Sequence, residues 1–384
     1  MKKLKSTLVL ALILTLCVAV LASCSANNTP SADPNATEDI TIPSPPVKQE
    51  IEPSSAELDF APNFPTGVGD FVNGLVAGSN TAGRGQFIDY AGAVVIEVAE
   101  NYSLQGDFRD GVVRAKDNAT GLYGFLSPDG TVAVPFEYPY AADFSDGYSS
   151  VEFADGSFGF IAPNGDVALS GFASALGTPH GGYATFTNAS GLYGFISTDG
   201  IVAADTIYQR VYDYSDNVAA VQNQDGKWGF IDWIGRAVTD FIYDGAVGFS
   251  EGLAAVQDSS GKWGFINTSG KLTIPCQYAN VRSFSDGLCA VFNDDGKVGY
   301  ISKSGKLVIS YTKYTIAGDF SDGLALVGTE SKSNDKCGYI DTAGKLKTKT
   351  DYLRVSGQFH EGHALAVKSV DGGYVSVVLA TDAE

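Results

Sequence analysis

The chain has 384 residues, 44% of them hydrophobic and 18% charged, with 45 glycines, 11% aromatics and three histidines. That composition supports a sizeable folded core and suits turns and short strands better than helices. A formal net charge of −19 excludes nucleic acid as a partner and disfavours anionic lipid head groups, while it favours basic proteins, polyamines or divalent cations.

In chain order, Lys2, Lys3 and Lys5 come first, and residues 7–22 (TLVLALILTLCVAVLA) form one apolar run ending in Leu21-Ala22-Ser23-Cys24. A basic start, an apolar stretch and small residues at its end describe a secretory signal. The run is short of the roughly 20 residues that a spanning helix needs. Leu-Ala-Ser-Cys resembles the bacterial lipobox. The resemblance implies that residues 1–23 are a signal peptide and that Cys24 carries diacylglycerol. The product would be an exported protein, lipid-anchored on the extracytoplasmic face of the membrane or on the cell surface. Ser25 suits outer-membrane sorting if the envelope is Gram-negative, a point the sequence leaves open. Of the 25 basic residues, removing those three lysines leaves 22 against 44 acidic ones, so the mature chain is more acidic still.

Residues 24–62 are rich in Pro, Ser, Thr and acids, without a sustained hydrophobic period. Such a segment cannot offset its ordering entropy by burial, and a disordered tether is expected. Its average reach is about 30–40 Å, more where proline stiffens it.

From about residue 63 to 380 one phrase recurs: an aromatic, Gly, Phe or Tyr, then Ile or Leu. It appears at Tyr123-Gly124-Phe125-Leu126, Phe158-Gly159-Phe160-Ile161, Tyr193-Gly194-Phe195-Ile196, Trp228-Gly229-Phe230-Ile231 and Trp263-Gly264-Phe265-Ile266. Weaker copies are Val298-Gly299-Tyr300-Ile301 and Cys337-Gly338-Tyr339-Ile340. From Gly124 to Gly299 the glycines recur every 35 residues, and a period of that size means a solenoid, a propeller or an array. A second phrase precedes the first, as in Phe144-Ser145-Asp146-Gly147, Phe284-Ser285-Asp286-Gly287 and Phe320-Ser321-Asp322-Gly323, and it is nearly erased at Pro179-His180-Gly181-Gly182. Together the phrases define about nine units.

Within residues 249–283, Leu253–Val256, Lys262–Ile266 and Leu272–Tyr278 read as strands a, b and c of an antiparallel meander. Between them stand Asp258 to Gly261 and Asn267 to Gly270, two Asx-x-x-Gly segments in which Asx opens a type I turn and Gly takes the left-handed position. Alternation places Trp263 and Phe265 on one face, Gly264 and Ile266 on the other. A strand glycine marks close approach of another group, and an aromatic of the neighbouring unit is expected over it. The fold class is therefore all-β, a tandem array of three-stranded units. An open superhelix is the expected arrangement, with a β-propeller as the alternative.

Lys227-Trp228-Gly229-Phe230-Ile231 and Lys262-Trp263-Gly264-Phe265-Ile266, with the Phe-Ser-Asp/Glu-Gly-Leu-Ala phrase before and Gly-Lys-Leu-x-Ile-Pro after, resemble the WG (KWG) repeat of bacterial proteins. The resemblance implies an all-β repeat protein, often surface-exposed, and offers no catalytic residues. Tyr123, Phe158, Tyr193, Val298 and Cys337 stand where Trp is expected, but each is followed by the glycine.

Chemistry-bearing motifs are sparse. His360-Glu361-Gly362-His363 places two imidazoles together without the further ligands zinc needs. The turn acids Asp110, Asp146, Asp216, Glu251, Asp286, Asp322 and Glu361 give one carboxylate per unit, too few oxygens for calcium and typical of an Asp-Gly turn. No nucleophile elbow, phosphate loop or HExxH is present, and only His180 leaves room for a Ser-His pair. Cys276 and Cys289 could bridge outside the cell or serve as small buried apolar groups. Trp233 falls in a turn, where it is a candidate exposed contact. The expected function is a non-catalytic binding or scaffold module for a protein or cell-wall polymer, anchored through Cys24 and without cofactor or metal. A structural envelope role without a ligand, or a hydrolase using an acidic pair, are the alternatives.

Overall fold

A computed structural model describes residues 47–51, 70–80, 82–329, 336–353, 356–370 and 373–381. The expected signal peptide, Cys24 and most of the expected tether lie outside these residues. Among the described residues there is no helix, and the strands form nine antiparallel sheets of three or four strands each. The tandem array of antiparallel units is as expected, but four of the sheets carry a fourth strand, and those of the fifth and eighth units pair a leading strand with strands a and b without a regular strand c.

The sixth unit shows the plan. Its strand a (Leu253–Gln257), strand b (Trp263–Asn267) and strand c (Leu272–Tyr278) lie in the order anticipated, and a leading strand (Gly245–Ser250) adds a fourth member beside strand a. The recurrent Phe-Ser-acid-Gly phrase is the hairpin between leading strand and strand a. Ser250 pairs with Leu253, and Glu251 and Gly252 take φ of 52° and 83° between them. Positive φ at both central residues is the two-residue turn whose twist matches a hairpin, which is why an acidic residue and glycine recur there. The Asx-x-x-Gly turns behave as read. Asn267 Oδ1 accepts from the amides of Ser269 and Lys271 at 3.1 and 3.0 Å, and the Gly270 amide donates to Asn267 O at 2.8 Å.

Each sheet is buried on both faces by its two neighbours. Phe265 packs edge-to-face on Phe284 of the next unit, with ring centroids 5.0 Å apart. Its strand neighbour Ile266 points the other way, into the cluster containing Phe230 and Phe249. The same pairing recurs as Phe87–Phe108, Phe125–Phe144, Phe230–Phe249, Tyr300–Phe320 and Tyr339–Phe359. Where the phrase is erased at Pro179, Leu176 fills the place beside Phe160. The aromatics of one unit complete their burial only against the next unit, so the array is stable only as neighbours stack.

The glycine of the repeat has a different neighbour from the one expected. A Cβ on Gly264 would lie 2.5 Å from Ile274 O and 2.6 Å from Cys276 N, both backbone atoms of its own unit's strand c. Strand c bulges there: Trp263 pairs with Tyr278 and Phe265 with Ile274, so extra residues of strand c crowd against the glycine. Gly124, Gly194 and Gly338 meet the carbonyls of Val134, Ala204 and Lys349 in the same way. At Gly229 the neighbour is an aromatic ring, Phe241, but again from the same unit.

The first and ninth units also pack on each other. Phe71, Val76 and Ile88 share a cluster with Leu365 and Val378. Glu361 accepts from the Asn73 and Gly74 amides, each at 2.9 Å, and from the Tyr90 hydroxyl. His363 stacks on Tyr90 at 3.8 Å. Of the two arrangements the sequence allowed, this end-to-end contact selects the propeller type. A further piece falls within the stretch expected to be disordered: Val47–Ile51 is a strand paired antiparallel with the last strand, Gly373–Thr381. Pairing with an open sheet edge supplies the backbone hydrogen bonds that residues 47–51 cannot make alone, so disorder is not the right description for them.

Candidate functional site

Trp233 stands at the tip of the Asp232–Gly235 turn. Asp232 Oδ1 accepts from the amides of Ile234 and Arg236 at 3.1 and 2.9 Å, and Gly235 takes φ of +78°. Burial works against ionisation of Asp232, but these amides and the Arg236 guanidinium hold its carboxyl below the usual range. With the turn fixed, Trp233 and Ile234 project outward, 51% and 43% exposed. They face the start of strand c in the preceding unit, where Ile201 and Val202, just past the corresponding turn, are 68% and 51% exposed. The four side chains, with Asp199 and Tyr183, line a groove of about 250 Å³.

The groove interrupts a wider pattern. Val132, Val167, Val202, Leu272 and Leu307 begin their c strands, Leu346 makes an isolated bridge at the same place, and all six pair across to the buried Leu or Ile of strand b and are well exposed. One aliphatic side chain per unit thus lies on the c-strand side of the array. In the fifth unit that position is Ala237, and Trp233 and Ile234 stand four and three residues earlier, in the turn. The 35-residue recurrence of these aliphatics is visible in the sequence, but alternation within strand c gives no reason to separate them from core positions.

The turn acids join units. Asp110 accepts from the Gly147 amide, Asp216 from Gly252, Asp286 from Gly323 and Asp322 from Gly362, at 2.7–2.8 Å. Asp146 and Glu251 reach the Gly182 and Gly287 amides, and Glu361 reaches Gly74 across the end-to-end contact. A left-handed φ costs a non-glycine residue about 1–2 kcal/mol. A hydrogen bond to a charged group can return about 1.5–3 kcal/mol where it is sheltered, less at these exposed turns. Ser250, Ser285 and Ser321 add hydroxyl bonds to Phe284 O, Phe320 O and Phe359 O of the following units.

The remaining candidates resolve individually. Trp228 is buried and Trp263 partly so, within the clusters between units, so the repeat signature is structural. His360 Nε2 lies 3.4 Å from Asp70, and the His363 ring is taken up by Tyr90 and by Glu361 O. Cys276 and Cys289 are thiols rather than a disulfide, because they face different clusters: Cys276 Sγ approaches Val256 O at 3.8 Å and Cys289 Sγ approaches Arg282 O at 3.0 Å. Cys337 is buried in place of an aromatic. Ser145 Oγ lies 3.3 Å from His180 Nδ1, and His180 Nε2 lies 3.8 Å from Asp213. The second separation is an ion-pair distance, not the hydrogen bond that would orient a general base.

A family model described as WG containing repeat matches residues 123–155, 193–228, 228–262, 263–297 and 299–332. No curated protein matches the chain. Among solved structures, the computationally designed Ika8 protein is 15% identical, covering 88% of this chain and 98% of its own, with a TM-score of 0.42. The C-terminal WD40 domain of Sif2 is 10% identical, covering 84% and 97%, with a TM-score of 0.43. BamB from Moraxella catarrhalis is 13% identical, covering 72% and 91%, with a TM-score of 0.38.

Proposed function

For a chain that belongs to the WG-repeat family, we propose a non-catalytic binding module that holds a protein partner through the Trp233 groove. In this reading a lipidated Cys24 keeps the module on the extracytoplasmic face of the membrane. One observation carries it: a half-exposed tryptophan grouped with three half-exposed or more exposed aliphatic side chains in a groove. Tryptophan combines a large apolar surface with an N–H donor, and burying such a group in a partner's pocket supplies a disproportionate share of binding energy.

The test is retention of envelope proteins, and separately of purified cell wall, on immobilised residues 25–384 and on its Trp233→Ala variant. Saturable retention of one protein, lost in the variant, is the expected result. Retention of cell wall instead would assign a polymer ligand. Equal retention by both forms would overturn the groove as the contact. For the anchor, Cys24→Ser is expected to release the protein from membranes and to abolish metabolic labelling with a fatty acid.

A further inference from the structure

In five units the residue before the turn aromatic is an aspartate: Asp70, Asp107, Asp143, Asp213 and Asp319. Most receive a cation from the protein itself. Arg114 Nε meets Asp143 at 2.9 Å, Arg282 takes Asp319 through two nitrogens at 2.7 and 2.9 Å, and His360 meets Asp70 at 3.4 Å. Among the described residues Asp107 has no such partner, and its Oδ1 is buried. Asp213 has His180 at 3.8 Å as its cation among the described residues, and its side chain is 49% exposed.

What Asp213 faces is a shallow depression of about 550 Å³, broadly open to solvent. The sixth and seventh units place Gly248 and Ser283 where an aspartate stands elsewhere, and both line this depression, so the space exists because those side chains are missing. Tyr212 forms another wall, 42% exposed and tilted against Trp228. An aromatic face beside a carboxylate attracts a cation through both groups. A metal ion is poorly served, since hard divalent cations want six or more oxygens and the nearby Asp216 Oδ2 is held by the Gly252 amide.

We propose that the depression beside Asp213 binds an organic cation, an alkylammonium or guanidinium group, with Asp213 as the charge partner and Tyr212 as the aromatic wall. The group would come from a free polyamine or from a basic side chain of a peptide. The net charge of −19 raises the local concentration of either. This site does not depend on the Trp233 groove.

The test is calorimetric titration of residues 25–384 with spermidine and with tetralysine at physiological ionic strength. The same titrations are run on Asp213→Asn, Tyr212→Ala and Asp295→Asn, the last removing an equal charge from an exposed turn in another unit. Saturable one-site binding is expected, weakened about tenfold or more by Asp213→Asn, about threefold by Tyr212→Ala, and unchanged by Asp295→Asn. Tighter binding of spermidine would identify a free polyamine as the source, and tighter binding of tetralysine a basic peptide. Absence of saturable binding of both probes, or equal weakening by Asp213→Asn and Asp295→Asn, would overturn the proposal. Matched melting temperatures establish that each variant is folded.

Discussion

Replacing Gly264 by alanine separates two reasons for a glycine, space and backbone conformation. The new Cβ would stand 2.5–2.7 Å from three backbone atoms of the bulged strand c, and no side-chain rotation relieves a backbone clash. Overpacking of this kind costs typically 1–3 kcal/mol, and because two strands must part here about 3 kcal/mol is expected. Gly261→Ala is the matched control. It lies in the turn between strands a and b, has φ of +80°, and has nothing within 4 Å of the added methyl. Its cost is the left-handed conformation, about 1–2 kcal/mol, reduced by the lower entropy of the unfolded chain to about 1 kcal/mol. Urea unfolding followed by the fluorescence of the buried Trp228 and partly buried Trp263 reads both. If Gly264→Ala costs no more than Gly261→Ala, the repeat glycine is not there to admit strand c, and the account of the bulge fails.

Three further expectations concern charge. Burial, then the charges of Asp70 and Asp143, push the Asp107 carboxyl up to about 6; ionising it destabilises the fold above that pH, so Asp107→Asn is expected to raise stability at pH 7 by about 2 kcal/mol and to give no gain at pH 4, and equal effects at both pH values would contradict the assignment. The hydrogen bond to Asp70 raises the His360 pKa against the opposing effect of burial; its contribution is complete below the ordinary histidine value of about 6.5 and is lost as pH rises through the folded value, so the melting-temperature gap between wild type and His360→Gln should narrow with rising pH. Glu361→Ala removes three hydrogen bonds at an exposed site, for which about 1–2 kcal/mol is a screened figure; hydrogen exchange should quicken at the Asn73 and Gly74 amides first, and unchanged protection there would argue against the contact.

Much of the fold was legible because each unit repeats its own grammar. Asn267 and Gly270 announce a turn through local chemistry, and the aromatics at positions 265 and 284 recur because both are needed in one cluster. What was hidden depended on non-local geometry. The leading strand Gly245–Ser250 has a weak pattern of its own and becomes a strand through pairing with strand a. The turn acids read as turn formers, and so they are, but their second role needs the next unit's amide at hydrogen-bond distance. Val47–Ile51 has the composition of a tether and is ordered by a partner more than three hundred residues away. Trp233 was visible as an exception to the repeat, whereas Ile201 and Asp199 join it only because successive turns align.

The end-to-end contact also bears on how the chain folds. Neighbouring units meet after a loop of one repeat, but Asn73 reaches Glu361 across 288 positions. Closing the longer loop in an otherwise unfolded chain costs about 2 kcal/mol more than closing one repeat, from the logarithmic growth of loop entropy. Units that have already docked in series remove most of that penalty. Assembly should therefore proceed from neighbour to neighbour, with the union of the first and ninth units as the last and slowest step. Until then each terminal sheet exposes an apolar face, Phe71, Val76 and Ile88 on one side and Leu365 and Val378 on the other, and an intermediate arrested at that stage is the species most exposed to proteolysis and to association with another copy.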